Sequence, residues 1–406
     1  MFSNRLQTIK PSPSMAAKSI VERLRAEGRT IMDFTIGEPD LPTPPAILDA
    51  AAAAMRRGET RYTAAAGTLA LRRAIAAKLL RDNRLAYDPA EIVAGCGGKQ
   101  VIFNAFAATL NPGDEIVVLA PFWVSYPDIA LLCDARPVIV AASAENGWKV
   151  PVEAIAAAIT PRTRWLVINS PNNPTGAVYS ESELEGIADI LRRHPDIRLL
   201  SDEIYEHFVY DGGRHLSPVE ITPDLRERTL IVNGVSKSYC MTGFRIGFGA
   251  GPRPLIDAIA KLATQTTTCA DAVGQAAATA AFSGEQDSLR AMVALFAERR
   301  DAMVTGLAGI DGLICPSPAG SFYVFPSIAG LIGRPTPEGH VLASAADVAL
   351  YFLEWAGVAT VAGESYGMPG FLRLSFATAT ADIREGCSRI KGACSLLGSN
   401  SASRQK

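Results

Sequence analysis

Short apolar runs alternate with longer, helix-periodic segments through the middle of this chain. From residue 91 the order is an apolar run at 92–94, a helical segment at 101–110, apolar runs at 115–119 and 164–169, a helical segment at 182–193, and apolar runs at 197–203 and 229–235. Runs of that length between amphipathic segments are the pattern of a mostly parallel sheet buried on both faces. Ahead of it the periodicity predicts helices over 15–27, 44–57 and 68–81, the second with a proline at its first turn and Gly58 past its end. Beyond it come one long helical region over about 254–307 and strands over 320–325 and 370–376, with helices between them. The expected fold is α/β, with a large domain over 46–290 and a smaller α+β domain. Residues 398–406 are polar and small, and are expected to form a disordered tail.

Composition narrows this picture mainly by exclusion. At 406 residues the chain exceeds one typical domain. No uninterrupted apolar run reaches the roughly 18–20 residues that a membrane span needs, and the first residues lack the apolar core of a signal peptide. Net charge is −2 with both signs interspersed, so no basic face for nucleic acid is expected. The seven cysteines form no Cys-x-x-Cys pair and read as reduced thiols of a cytoplasmic protein. Four histidines lie far apart without a metal-type partner, so no metal site is expected.

Candidate chemistry collects where the apolar runs end, the edge at which open α/β sheets bind ligands. After 92–94 comes Gly95-Cys96-Gly97-Gly98-Lys99-Gln100, a turn into a helix that offers backbone N–H groups to a phosphate. It is not a dinucleotide fingerprint, because Gln100 stands where the third glycine belongs and Asp114 and Glu115 begin rather than end the next run. A Walker loop fails as well, with Gln100 after Lys99 and Val93 in place of the first glycine. A phosphate cup and an ordinary tight turn fit these residues equally. Trp123 follows the 115–119 run and suits either stacking on a flat ring or core packing. Asn172-Asn173-Pro174-Thr175-Gly176 holds an amide in a rigid turn. Asp202, after Leu199 and Leu200, needs a cationic or N–H partner if it is to stay ionised, unless it caps a helix. Ser236-Lys237 follows the 229–235 run, and apolar flanks there would lower the lysine pKa and favour amine chemistry. Arg245 comes eight residues later. Arg373, in Leu-Arg-Leu-Ser, suits two-point recognition of a carboxylate.

In this order the strings resemble the fold-type I pyridoxal-phosphate aminotransferases, specifically the class I aspartate aminotransferase family. The resemblance runs from Pro11 to about Leu397 and rests also on Gly37-Glu38-Pro39-Asp40, Pro121-Phe122-Trp123-Val124-Ser125-Tyr126-Pro127 and Met241-Thr242-Gly243-Phe244-Arg245-Ile246-Gly247. It implies a small domain made from both chain ends, 1–45 and 291–397. It implies that Lys237 carries pyridoxal 5'-phosphate as an imine and shuttles a proton, and that Asp202 keeps the ring nitrogen protonated. Asn173 and Tyr205 would bond the ring's phenolic oxygen, and Trp123 would stack on the ring. Gly98, Lys99, Ser236, Arg245 and, from a second subunit of a homodimer, Tyr62 would hold the phosphate. Arg373, Asn173 and the Gly37 backbone would take the substrate α-carboxylate. In the branch this chain resembles more closely, Lys99 and Ser14 occupy the positions that read a distal carboxylate, which implies aspartate or glutamate with 2-oxoglutarate or oxaloacetate. Aminotransfer of aromatic or neutral amino acids, and a pyridoxal-phosphate β-lyase on the same fold, are the alternatives.

Overall fold

A computed structural model describes residues 2–3, 5–9 and 13–398, the side chains of 13–18 excepted. The tail expected from 398 onward therefore lies, past Gly398, outside the described residues, as does the Ser14 side chain. A seven-stranded sheet forms the centre: β1 (Ile92–Cys96), β2 (Glu115–Ala120), β3 (Arg136–Ala141), β4 (Thr163–Asn169), β5 (Arg198–Asp202), β6 (Thr229–Gly234) and β7 (Ile246–Ala250). Their spatial order is β1-β7-β6-β5-β4-β2-β3. β7 is antiparallel to both its neighbours, and every other pair is parallel.

Both faces of the sheet are covered, which explains its near-continuous apolar runs. Alternate residues go to opposite sides. Ile116, Val118, Trp165, Val167 and Leu200 pack under the helices Gly98–Thr109 and Arg253–Thr266. Val117, Leu166, Ile168 and Leu199 pack on the other side against the helix Glu181–Arg193. That helix starts at a capping box, Ser180 accepting from the Glu183 N–H while Glu183 accepts from Ser180, and it buries Leu184, Ile187, Ala188, Ile190 and Leu191 along one stripe. No helix among the described residues is long and apolar enough to cross a membrane.

A second core joins residues from near both chain ends. Phe34 packs with Phe296 and Met303 of the helix Asp287–Leu307 and with Ile383 and Ile390 of the helix Thr380–Ser395. Met32–Asp33 pairs in parallel with Val358–Ala359, and Leu372–Ser375 lies between Val361–Ala362 and Tyr323–Val324 in an antiparallel sheet.

Three local expectations change. The long helical region is three helices, Arg253–Thr266, Ala272–Ser283 and Asp287–Leu307. Thr268 turns left-handed at φ 66°, and Asp271 caps the second helix by accepting from the Gly274 N–H, so the periodicity continues across a real break. The strands expected over 320–325 and 370–376 contract to Tyr323–Val324 and Leu372–Ser375. β3 is a strand not among those expected; its Pro137 lies at the sheet edge, where a missing N–H is tolerated.

Candidate active site

Five of the parallel strands end at one edge of the sheet, and their last residues or the turns after them carry the site. β1 leads into Gly97 and Gly98, β2 into Trp123, β4 into Asn173, β5 ends on Asp202, and β6 leads into Ser236 and Lys237. Arg245 reaches the same edge for the opposite reason. β7 runs against its neighbours, so its first residues, paired as Cys96 with Ile246 and Gly234 with Gly247, lie where the others finish. Among the anticipated residues, Gly37, Gly98, Lys99, Trp123, Asn173, Asp202, Tyr205, Ser236, Lys237, Arg245 and Arg373 line one cavity of about 390 Å³. Tyr62 does not line it; the residue is 87 % exposed.

The junction of β1 and β7 is tight. A Cβ on Gly247 would stand 2.2 Å from the Gly98 nitrogen, and one on Gly97 would stand 2.5 Å from the Arg245 guanidinium. The backbones therefore meet at the start of the helix Gly98–Thr109, whose first N–H groups have no carbonyl a turn earlier to bond. With the Ser236 hydroxyl and the Arg245 guanidinium beside them, they form a donor set for a dianion. Gly247→Ala is expected to lower unfolding stability by about 3 kcal/mol, since backbone rather than a movable side chain meets the new methyl; urea unfolding measures it.

Charges in the cavity are strongly perturbed. Burial raises the Asp202 carboxyl to about 6, although the Tyr126 hydroxyl donates to it at 2.6 Å and the Ile204 N–H at 3.2 Å. Both donors are neutral. Burial lowers the Lys237 ammonium to about 8, with Glu38 opposing and Arg245 and Arg373 assisting. The Lys237 Nζ donates to the Gly37 carbonyl at 2.6 Å. Arg373 donates to the Thr35 carbonyl at 2.7 Å and to Asn173 Oδ1 at 3.3 Å, and lies over the Tyr323 ring. Its Nε is buried and finds no acceptor among the described residues. The Tyr205 and Tyr323 hydroxyls pair at 2.9 Å. Lys99 Nζ stands 4.9 Å from the centre of the Trp123 ring, and burial and then Arg245 lower its pKa.

Tyr126, Tyr323 and Ile204 line the site although the sequence singled out none of them. Tyr126 lies in the matching string 121–127, but nothing in its neighbours points to Asp202, which is 76 residues away. Tyr323 sits in an apolar run that reads as core.

The sequence pattern of the family described as "Aminotransferase class I and II" matches residues 29–390. The chain belongs to that family and is a transaminase. It is 45% identical to the aspartate/prephenate aminotransferase of Cereibacter sphaeroides over 396 residues, 98% of this chain and 99% of that one. The crystal structure of the aspartate aminotransferase from Rhizobium meliloti superposes with a TM-score of 0.95 at 44% identity, covering 98% of this chain and all of that one. The aspartate aminotransferase from Thermus thermophilus with maleate gives a TM-score of 0.89 at 40% identity, over 97% of this chain and 99% of that one.

Proposed function

We propose that the chain transfers the amino group of aspartate or glutamate to 2-oxoglutarate or oxaloacetate, using pyridoxal 5'-phosphate, as a cytoplasmic homodimer. The observation that carries this reading is Asp202, a buried carboxylate that meets only neutral hydrogen-bond donors among the described residues. Such a group fits a cationic heteroaromatic N–H, which would hold it ionised. The donor set at Gly98, Lys99, Ser236 and Arg245 fits a phosphate. Trp123 offers a flat face, while Asn173 and Tyr205 fit the ring's phenolic oxygen. When bound, pyridoxal phosphate supplies an electron sink for the pair released as the substrate Cα–H bond breaks.

The chain's own residues do the rest. Lys237 Nζ, with its lowered pKa, takes the Cα proton and returns it. Arg373, with one buried N–H unused, takes the α-carboxylate beside Asn173 and the Gly37 backbone. The Tyr205–Tyr323 pair and the Trp123 ring exclude water from the buried wall. Residues 46–290 act as the large domain, and 1–45 with 291–397 as the small one. A second copy of the chain completes the site with its Tyr62. That placement is supported by an exposed Tyr62 and by exposed Leu48, Met55 and Leu69 on the adjoining helices.

Lys99 carries the substrate choice, with Ser14 as its partner. Its desolvated ammonium, held over Trp123 inside the cavity, fits a distal carboxylate, and maleate in the Thermus thermophilus structure is such a dicarboxylate. Lys99→Ala is expected to slow the aspartate half-reaction about 10- to 100-fold, the worth of one charge-assisted hydrogen bond, and to leave alanine nearly unchanged. Single-turnover spectra of the cofactor with each amino acid test it; equal losses for both would remove Lys99 as the reader of the distal charge.

A further inference from the structure

A buried ion pair lies behind the two turns that carry the site. Lys78, on the helix Leu69–Asn83, is 1 % exposed; its ammonium donates to Asn83 Oδ1 at 2.7 Å and to the Glu206 carboxylate. Glu206 also accepts from Asn83 Nδ2 at 2.6 Å and from Asn233 Nδ2 at 2.7 Å. Asn233 Oδ1 in turn accepts from the Gly234 N–H at 2.7 Å. Next to Glu206, His207 Nδ1 lies 2.9 Å from Ser238 Oγ, and its Nε2 lies 3.5 Å from Asp82. Burial works against ionised Glu206, but the Lys78 ammonium against it, with His207 and His215 nearby, holds the carboxyl below its ordinary range.

The placement of these ties is what matters. Glu206 and His207 continue the turn that begins with Asp202 and Tyr205, whereas Asn233 and Ser238 bracket Lys237. None of the cluster lines the cavity. For stability alone, apolar residues of similar volume would serve as well as a buried ion pair, because desolvating both charges offsets most of their attraction. A saturated polar network instead fixes one geometry for the segments it joins.

We propose that Lys78 and Glu206 are positioning residues, which hold the end of β6 carrying Lys237 against the turn carrying Asp202 and Tyr205. The inference rests on the aminotransferase reading of Lys237 and Asp202. It adds a contribution from the far side of the sheet edge, made through Asn233 and the His207–Ser238 contact.

The test compares Glu206→Gln, Lys78→Met, the double variant and Ser238→Ala with the wild-type holoenzyme. Each charged single is expected to lower kcat about 10- to 100-fold with KM changed less than about threefold, the signature of misplaced reacting groups. The double variant leaves no unpaired charge and keeps an amide on Asn233, so its kcat should return to within about fivefold of wild type. Ser238→Ala, which leaves no charge unpaired, should show the same split at about 3- to 10-fold, and keeps the test decisive if the singles do not fold. A second readout uses cofactor-free protein: the pH midpoint of Lys237 acetylation by acetic anhydride should rise in the singles toward that of an ordinary lysine. Variants that only melt earlier, with kcat and the Lys237 midpoint unchanged, would overturn the proposal. A wild-type protein that transfers no amino group would overturn the functional reading instead, and the acetylation midpoints would still decide the positioning role.

Discussion

Lys237→Ala is expected to abolish amino transfer, lowering kcat by roughly 10⁴-fold or more, because in the proposed function this one side chain serves both nucleophilic attachment and proton transfer. No neighbour among the described residues is placed to replace it. Lys237 stands three residues past the end of β6, burial lowers its amine to a pKa of about 8, and its Nζ donates to the Gly37 carbonyl at 2.6 Å. Lys99, the other lysine at the cavity, is held over Trp123. The loss should fall on kcat, with the chain still folded, since Lys237 belongs to no ion pair among the described residues. Stopped-flow traces of the first half-reaction, alongside thermal unfolding, measure both. Activity within about tenfold of wild type would mean that another group moves the proton.

Asp202→Asn is expected to have the second largest effect, in two opposite directions. Removing the charge that would hold a ring nitrogen protonated should lower kcat about 10²- to 10³-fold, the scale of losing one preorganised electrostatic partner. The cofactor-free protein should become more stable. Asp202 has its pKa raised from 3.8 to about 6, so across that window the folded state binds more protons than the unfolded one. Stability therefore falls as pH rises through it, and the cost is fully present above pH 6. Its size is up to about 3 kcal/mol, taking roughly 1.4 kcal/mol per pKa unit. Asparagine carries no such charge, so at pH 7.5 the variant should unfold at higher urea than wild type, and below pH 4 the difference should vanish. A variant less stable than wild type at both pH values would show that Asp202 is not held against its own ionisation. Lys237 adds a matching dependence at higher pH. Its folded pKa is lowered from 10.5 to about 8, so that cost is present below pH 8 and is relieved as pH rises toward 10.5.

Both ionisable groups at this edge of the sheet are thus held away from their preferred states, at a cost in stability. A bound cofactor would relieve both, binding the folded chain alone and stabilising it by mass action.

The strand ends were the legible part of the site. Asp202 ends an apolar run, and Lys237 and Asn173 come within a few residues of the ends of theirs, so local pattern places them at the ligand edge. Arg245 is different. Its arrival depends on β7 running backwards between β1 and β6, and the glycines at 247 and 249 that allow that close packing also hide the strand. Tyr126 and the Lys78–Glu206 pair were hidden for another reason: their partners lie 76 and 128 residues away, and no periodicity encodes such a contact. β3 carries Pro137, a residue whose meaning depends on whether a strand is central or at an edge, and only the topology puts it at the edge. The break at Thr268 was missed because helical periodicity carries across a short turn.

The most direct measurement incubates the purified protein, loaded with pyridoxal phosphate, with a panel of amino donors and 2-oxo acids while recording the cofactor spectrum and the products. The account predicts that aspartate and glutamate convert the cofactor to its amine form, that 2-oxoglutarate or oxaloacetate restores it, and that the released oxo acid matches the donor. Release of pyruvate and ammonia without amino-group exchange, or failure of both acidic donors to change the spectrum, would contradict it.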